Sequence, residues 1–287
     1  MAIPHGKLLT ADDRAATVPA MTRQPTAEPG INPSSPSERT ALVTGGGRGI
    51  GRAIALRFAA DGWHVVVTGR TIEQLEEVVA DAAGLSGRIV AQACDVGSAE
   101  SVAAMVDNAT SMVGPIDTVV NNAGVHAAGS FLELGPDVFR DLFETNVIGI
   151  VHVCQALLPS MIAAGFGRII NIASTAGLFE SPGQSPYNTS KHAVVGLTRC
   201  MALEMAPTGV TVNAICPGFV DTPMLGSFAD AAGVELDTIR QRLAGRTPMG
   251  RILAPDEIAH LAAHMASELA GGMTGQTMVV SNGMRMH

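Results

Sequence analysis

Thr40-Ala41-Leu42-Val43-Thr44-Gly45-Gly46-Gly47-Arg48-Gly49-Ile50-Gly51 is the stretch that decides the fold. A short β-branched run passes through a glycine-rich turn straight into a helical stretch, 49–61. The glycines let the backbone turn sharply and come close to a pyrophosphate. The helix that follows offers free N–H groups and the positive end of its dipole to the same anion. A glycine cluster alone is equally a plain tight turn. Its place between strand and helix, at the head of a βαβ unit, is what points to a nucleotide.

Outward from this loop the chain alternates short apolar runs with longer helical ones. Strands are expected at 40–44, 64–68, 88–94, 117–121, 168–173, 210–215 and 276–280, and helices at 49–61, 71–83, 98–113, 136–164, 186–206 and 255–269. The strands are nearly continuous apolar runs, as a parallel sheet covered on both faces requires. The expectation is therefore one α/β domain over 40–287, a doubly wound Rossmann fold with a parallel seven-stranded sheet and helices on both faces. An irregular piece, 221–250, interrupts the alternation and reads as a lid over a site. Residues 1–39 hold six of the 16 prolines and no aromatic residue. Such a segment buries too little surface to offset its ordering entropy and reads as a disordered tail.

Composition narrows the function. Of 287 residues, 47% are hydrophobic and 15% charged, with a formal net charge of −8. An acidic chain repels phosphate backbones and anionic lipid, which argues against nucleic-acid and membrane partners. The uncharged stretch 145–167 is long enough to span a membrane, but it contains Asn146, His152, Gln155 and Pro159 and reads as a soluble core helix. The four cysteines form no CxxC pair and read as buried thiols of a reducing, cytoplasmic compartment. No metal is expected: His260 and His264 share a helix face, but neither a glutamate between them nor a third ligand accompanies them.

The second strand ends at Gly69-Arg70, and no acid follows before Glu73. NAD sites usually place a carboxylate there for the ribose 2′-hydroxyl. Arg70, with Arg48 of the glycine loop, suits a 2′-phosphate instead. Each charge-assisted hydrogen bond is worth roughly 1.5–3 kcal/mol, so two partly solvated ones give on the order of 10²-fold preference for NADP(H).

The chain's one tyrosine stands in Ser185-Pro186-Tyr187-Asn188-Thr189-Ser190-Lys191. Tyr187 and Lys191, four apart on a helix, project together. A phenol needs help to exchange protons near neutrality, and Lys191 together with an oxidised nicotinamide ring is expected to lower its pKa. Ser174 follows the strand 168–173 at the carboxyl end, where doubly wound sheets bind ligands. Asn121-Asn122-Ala123-Gly124 ends another strand beside the same crevice. Asn146 lies in an otherwise apolar helical stretch, where asparagine is disfavoured.

Thr44–Gly51, Asp95-Val96, Asn121–Gly124, Asn146, Ser174, Tyr187–Lys191 and Pro217-Gly218-Phe219-Val220-Asp221-Thr222 together resemble, in order and spacing, the classical short-chain dehydrogenases/reductases. The resemblance covers residues 40 to about 284. It implies a tetrad in which Tyr187 is general acid/base, Ser174 polarises the carbonyl, Lys191 binds the nicotinamide ribose and tunes Tyr187, and Asn146 holds a relay water. It implies that Gly45, Gly47, Arg48, Gly49, Ile50 and Gly51 hold the phosphates and Asp95 and Val96 flank the adenine. Asn122, Ala123 and Gly124 would line the ribose, and Pro217, Gly218, Val220 and Thr222 the nicotinamide.

The substrate-side sequence is similar to 3-oxoacyl-carrier-protein reductases and bacterial polyketide ketoreductases. Val125-His126-Ala127-Ala128 departs from the Pro-Gly-Gly of the polyketide enzymes, and Asn282-Gly283-Met284 departs from the family's Asn-Gly-Gly turn. The resulting expectation is an NADPH-dependent ketoreductase acting on a small-molecule or carrier-bound ketone, assembled as a homo-oligomer, a tetramer before a dimer, through helices 136–164 and 186–206. A 3-hydroxybutyrate-type or broad-specificity dehydrogenase stays open, as does a nucleotide sensor without turnover. His126, Met224, Met249 and Met284 are candidate substrate contacts.

Overall fold

The computed structural model describes residues 39–286. Strands β1 (Thr40–Thr44), β2 (His64–Gly69), β3 (Arg88–Ala93), β4 (Thr118–Asn121), β5 (Gly167–Ile172), β6 (Val210–Pro217) and β7 (Thr277–Val280) form one sheet in the order β3-β2-β1-β4-β5-β6-β7. Every neighbouring pair is parallel. The order runs outward in both directions from β1 and β4, so their carboxyl ends flank the crevice where doubly wound sheets take ligands. All residues of β1, β4, β5 and β6 are buried, which explains their unbroken apolar character.

Each sheet face carries its own core. Helices α1 (Gly49–Ala60), α2 (Ile72–Asp81) and α9 (Pro255–Ala266) cover one, with Ile54, Phe58, Leu75, Ile258 and Met265 packed together. On the other face, α3 (Ala99–Val113), α5 (Gly149–Ala164) and α6 (Ser185–Met205) pack through Val106, Val153, Leu157, Met161 and Val194. The long helical stretch 136–164 is interrupted: α4 (Pro136–Phe143) meets α5 through one π-helical turn, Glu144–Ile148. By length and composition this stretch could cross a membrane, yet Val153, Cys154, Leu157 and Met161 face the sheet. Of the four cysteines, Cys94, Cys154 and Cys216 are buried as expected, whereas Cys200 is exposed on α6.

Two boundaries differ from the sequence reading. Arg39, assigned there to the tail, belongs to the fold. Its guanidinium donates from Nε and Nη2 to Asp117 Oδ1 at 3.1 and 2.9 Å, and it stacks on Trp63 at 4.3 Å and Phe166 at 4.9 Å. Those partners are far along the chain, so no local pattern announces them. The rest of the expected tail, 1–38, lies outside the described residues. The segment 221–250 is also not irregular: it holds α7 (Met224–Ala232) and α8 (Leu236–Ala244). Arg240 of α8 donates to Asp221 Oδ1 at 3.1 Å and ties the segment back to its root.

A buried polar ladder sets α6 against the sheet. Asn121 Nδ2 donates to Asn171 Oδ1 at 2.8 Å, and Asn171 Nδ2 donates to Thr198 Oγ1 at 2.9 Å. Satisfied polar groups in a dry interior tolerate little displacement, so β4, β5 and α6 keep one register.

Candidate active site

Two adjoining cavities open at the carboxyl ends of the strands. The first, about 240 Å³, is walled by Gly45, Gly47, Arg48, Gly49, Arg70 and Asp95, with Val96 and Ala123 behind. Gly45 adopts φ +61°, and a Cβ there would stand 2.9 Å from Ala123 Cα. Gly51 lies behind the wall rather than in it: a Cβ would come within 2.4 Å of the Gly45 carbonyl oxygen. Both positions therefore admit only glycine without displacing the loop. Helix α1 begins at this wall with no acid in its first turn, and Arg48 and Arg70 are exposed beside it.

The second cavity, about 470 Å³, holds Ser174, Tyr187 and Lys191 together with Pro217, Gly218 and Val220. Ile50, Asn122, Gly124 and Thr222 border both spaces, so the two cavities adjoin at these residues. Asn122 does more than line the wall. Its Nδ2 donates to the carbonyls of Thr44 and Gly45, both at 3.0 Å, and clamps the glycine loop to the end of β4.

Tyr187 and Lys191 stand one turn apart on α6. Lys191 Nζ donates to the Ile172 carbonyl at 2.9 Å and lies 5.8 Å from the Tyr187 ring centroid. The lysine is buried, and burial pushes its pKa down to about 8. Burial also pushes the Tyr187 phenol up, while a hydrogen bond with Ser174 draws it partly back. This departs from the expected lowering: the ammonium is directed at the β5 carbonyl, and among the chain's own groups desolvation prevails. Ser174 Oγ also accepts from the Ala176 N–H at 3.1 Å, which ends β5 in a tight turn and fixes the hydroxyl at the cavity wall.

Asn146 falls in the π-helical turn and is 1% exposed. Its Oδ1 accepts from Val125 N–H at 2.8 Å; its Nδ2 donates to the Val125 carbonyl and to Ser190 Oγ, each at 3.0 Å. Both amide hydrogens are thus engaged, and the side chain clips the segment after Gly124 to α6. A π-helical turn inside a helix is uncommon and often marks a functional position.

Several cavity residues escaped sequence reasoning. Phe179, Phe219, Phe228, Arg246 and Arg285 all line the larger cavity. Phe219 sits inside the Pro217–Thr222 motif, whereas Phe179, Phe228, Arg246 and Arg285 come from separate segments with no shared motif, so the sequence carries no local signal for those four. His126 does line it, with Nε2 3.3 Å from Gln184 Oε1 and its ring edge-on to Tyr187 at 4.7 Å and Phe228 at 4.9 Å. Met224 and Met284 line it as well; Met249 does not. His260, which shares a helix face with His264, faces Arg57.

A doubly wound sheet with this crevice, and a Ser-Tyr-Lys cluster on its wall, defines a class of oxidoreductases. The family model for short chain dehydrogenase matches residues 39–232, and the chain belongs to that family. Among curated relatives, the short-chain reductase protein NovJ of Streptomyces niveus is 39% identical over 246 residues, covering 86% of this chain and 94% of its own. A 3-oxoacyl-(acyl-carrier-protein) reductase of Staphylococcus aureus is 34% identical over 249 residues, 86% and 98% of the two chains. A crystal structure of a variant of actinorhodin polyketide ketoreductase with NADPH superposes with a TM-score of 0.82 at 37% identity, over 88% of this chain and 98% of that one.

Proposed function

We propose that the protein is an NADPH-dependent ketoreductase, reducing a 3-oxoacyl or polyketide-like ketone to a secondary alcohol. The observation that carries this is the continuity of the two cavities: Ser174, Tyr187 and Lys191 line the one that shares Asn122, Gly124 and Thr222 with the glycine-loop cavity. The glycine loop fits a dinucleotide, since its wall is bare backbone that a Cβ would fill and the α1 N-terminus opens onto it. Arg48 and Arg70 stand where a 2′-phosphate is recognised, with no acid on that rim before Glu73. The NADPH seen with the actinorhodin relative supports the same choice.

When bound, the nicotinamide supplies the hydride. The chain's own work is to place the ketone and move one proton. Ser174 Oγ donates a hydrogen bond to the substrate oxygen, and the Tyr187 phenol, whose pKa Ser174 draws partly back, transfers its proton to that same oxygen. A raised phenol pKa keeps Tyr187 protonated before turnover, which suits an acid in the reducing direction. Lys191 stabilises the phenolate that remains. Asn146 acts as a positioning residue by holding the Val125 segment to α6. Phe179, Phe219 and Phe228 exclude water from the reacting atoms, and α7 is the part of 221–250 that closes over them.

We further assign a cytoplasmic homo-oligomer, a tetramer before a dimer. Exposed Ile148, Ile162 and Leu203 on and beside α5 and α6 supply apolar surface for self-association. The test of activity is direct: purified protein oxidises NADPH when given a 3-keto ester or thioester. Tyr187→Phe lowers kcat by about 10³-fold while NADPH still binds. A Tyr187→Phe protein at full rate refutes the assignment, and a wild type that binds NADPH without turnover with any ketone favours the sensor.

A further inference from the structure

Among the described residues, nine of fourteen arginines direct their guanidinium at a carboxylate, carbonyl or hydroxyl. Arg48, Arg70, Arg242, Arg246 and Arg285 do not. In a chain with 26 acidic against 18 basic residues, a guanidinium without an acceptor is unexpected. Four of these five border the two cavities: Arg48 and Arg70 the glycine-loop cavity, Arg246 and Arg285 the substrate cavity. Arg242 borders neither.

The second pair is built in a consistent way. Arg246 follows α8 and stacks on Phe219 at 5.2 Å; Arg285 follows β7 and stacks on Phe179 at 4.9 Å. Both phenyl rings are cavity walls, and both arginines are exposed, so the two forks stand at the mouth. Stacking occupies the flat face of a guanidinium and leaves its N–H edge to donate, with part of the ordering cost already met. Glu180 sits on the same rim, so two cations there outweigh one carboxylate. Below the mouth the walls are apolar, with three of the chain's eight phenylalanines beside Leu225 and Met284.

We propose that Arg246 and Arg285 form an anion subsite at the mouth of the substrate cavity. The preferred substrate is then an amphiphilic ketone, its apolar body against the phenylalanines and its carboxylate or phosphate held at the mouth. This rests on the ketoreductase reading. The same chemistry is met by a free oxo acid and by a phosphate-bearing prosthetic arm, and two matched pairs separate them. One pair is an oxo-nonanoate and its methyl ester; the other is acetoacetyl-phosphopantetheine and acetoacetyl-pantetheine.

The charged member of at least one pair is expected to have about tenfold higher kcat/KM at low ionic strength, through KM rather than kcat. A preference in the first pair identifies a free acid, and one in the second pair alone identifies a carrier arm. Arg246→Gln with Arg285→Gln brings the ratio to about one, while Arg242→Gln leaves it at about ten. If the double variant does not fold, salt decides: the wild-type ratio falls toward one between about 0.02 and 0.5 M ionic strength. Ratios near one in both pairs, a salt-insensitive ratio, or a ratio that survives the double substitution overturn the subsite and leave ketone reduction standing. No turnover of any of the four compounds overturns both.

Discussion

Replacing Lys191 by methionine is expected to make the folded protein more stable while removing its activity. Lys191 is 5% exposed, and burial holds its pKa at about 8 against an ordinary 10.5. A lysine so displaced costs about 3 kcal/mol of stability at pH 7, because the charge is desolvated on folding and only partly compensated. Lys191→Met removes that cost and keeps the volume. It also loses the Nζ bond to the Ile172 carbonyl, which returns about 1 kcal/mol. The net gain of about 2 kcal/mol raises the melting temperature by about 4–8 °C. The sign with pH follows from linkage. Between pH 8 and 10.5 the unfolded chain binds a proton that the folded one does not, so wild-type stability rises across that window. Below pH 8 both forms are charged and the full cost stands; near pH 10.5 the variant's advantage is gone. Thermal unfolding without added nucleotide, at equal protein concentration and at pH 7 and 10, tests this. A variant that melts at or below wild type at pH 7, or an advantage that is the same at both pH values, refutes the reasoning.

Three more outcomes are expected. Arg70→Asp lowers the NADP/NAD ratio of kcat/KM by on the order of 10²-fold, by removing a phosphate partner and adding a ribose one; an unchanged ratio rejects the 2′-phosphate role. Arg39→Met costs about 3 kcal/mol in urea unfolding, since it leaves the Asp117 carboxylate in a mostly buried place without its bidentate partner. A loss below about 0.5 kcal/mol shows the pair to be solvated in practice. Asn146→Ala deletes three buried hydrogen bonds that join the Val125 segment to α6, costing about 2 kcal/mol and lowering kcat more than it raises KM. Equal loss in both parameters assigns it to general stability alone.

Much of this fold is legible in the sequence because its signals are local. Each strand is a β-branched run of a length a parallel sheet needs, and the glycine loop is visible as a cluster of neighbouring glycines. The need for glycine at 51 is local, where a Cβ strikes the Gly45 carbonyl, while the need at 45 is set by Ala123 far along the chain. The i, i+4 spacing likewise places Tyr187 beside Lys191 on one helix face. What the sequence hides are pairings set by the sheet order. Arg39 gains a partner only when β1 and β4 lie side by side, although Asp117 is 78 residues away. The asparagine at 146 is visible as an oddity in an apolar helix, but the π-helical turn that aims it at Val125 and Ser190 is not, because one extra residue in a helical run leaves the apolar period nearly intact.

Electrostatics shows the same division at closer range. The sequence places an ammonium next to a phenol, and proximity alone predicts an easier ionisation. Burial of both groups, a property of the whole fold, reverses that balance for the chain by itself, pushing Tyr187 up and Lys191 down together. The two displacements have a common consequence. Each favours the uncharged form of its group at rest, so under the proposed mechanism the chain by itself holds the phenol protonated, and the phenolate of turnover depends on the charge Lys191 offers beside it. Cys216 marks how dry that place is. Its thiol is fully buried behind Ser174 and Lys191, and desolvation pushes it up to about 11 despite the lysine nearby.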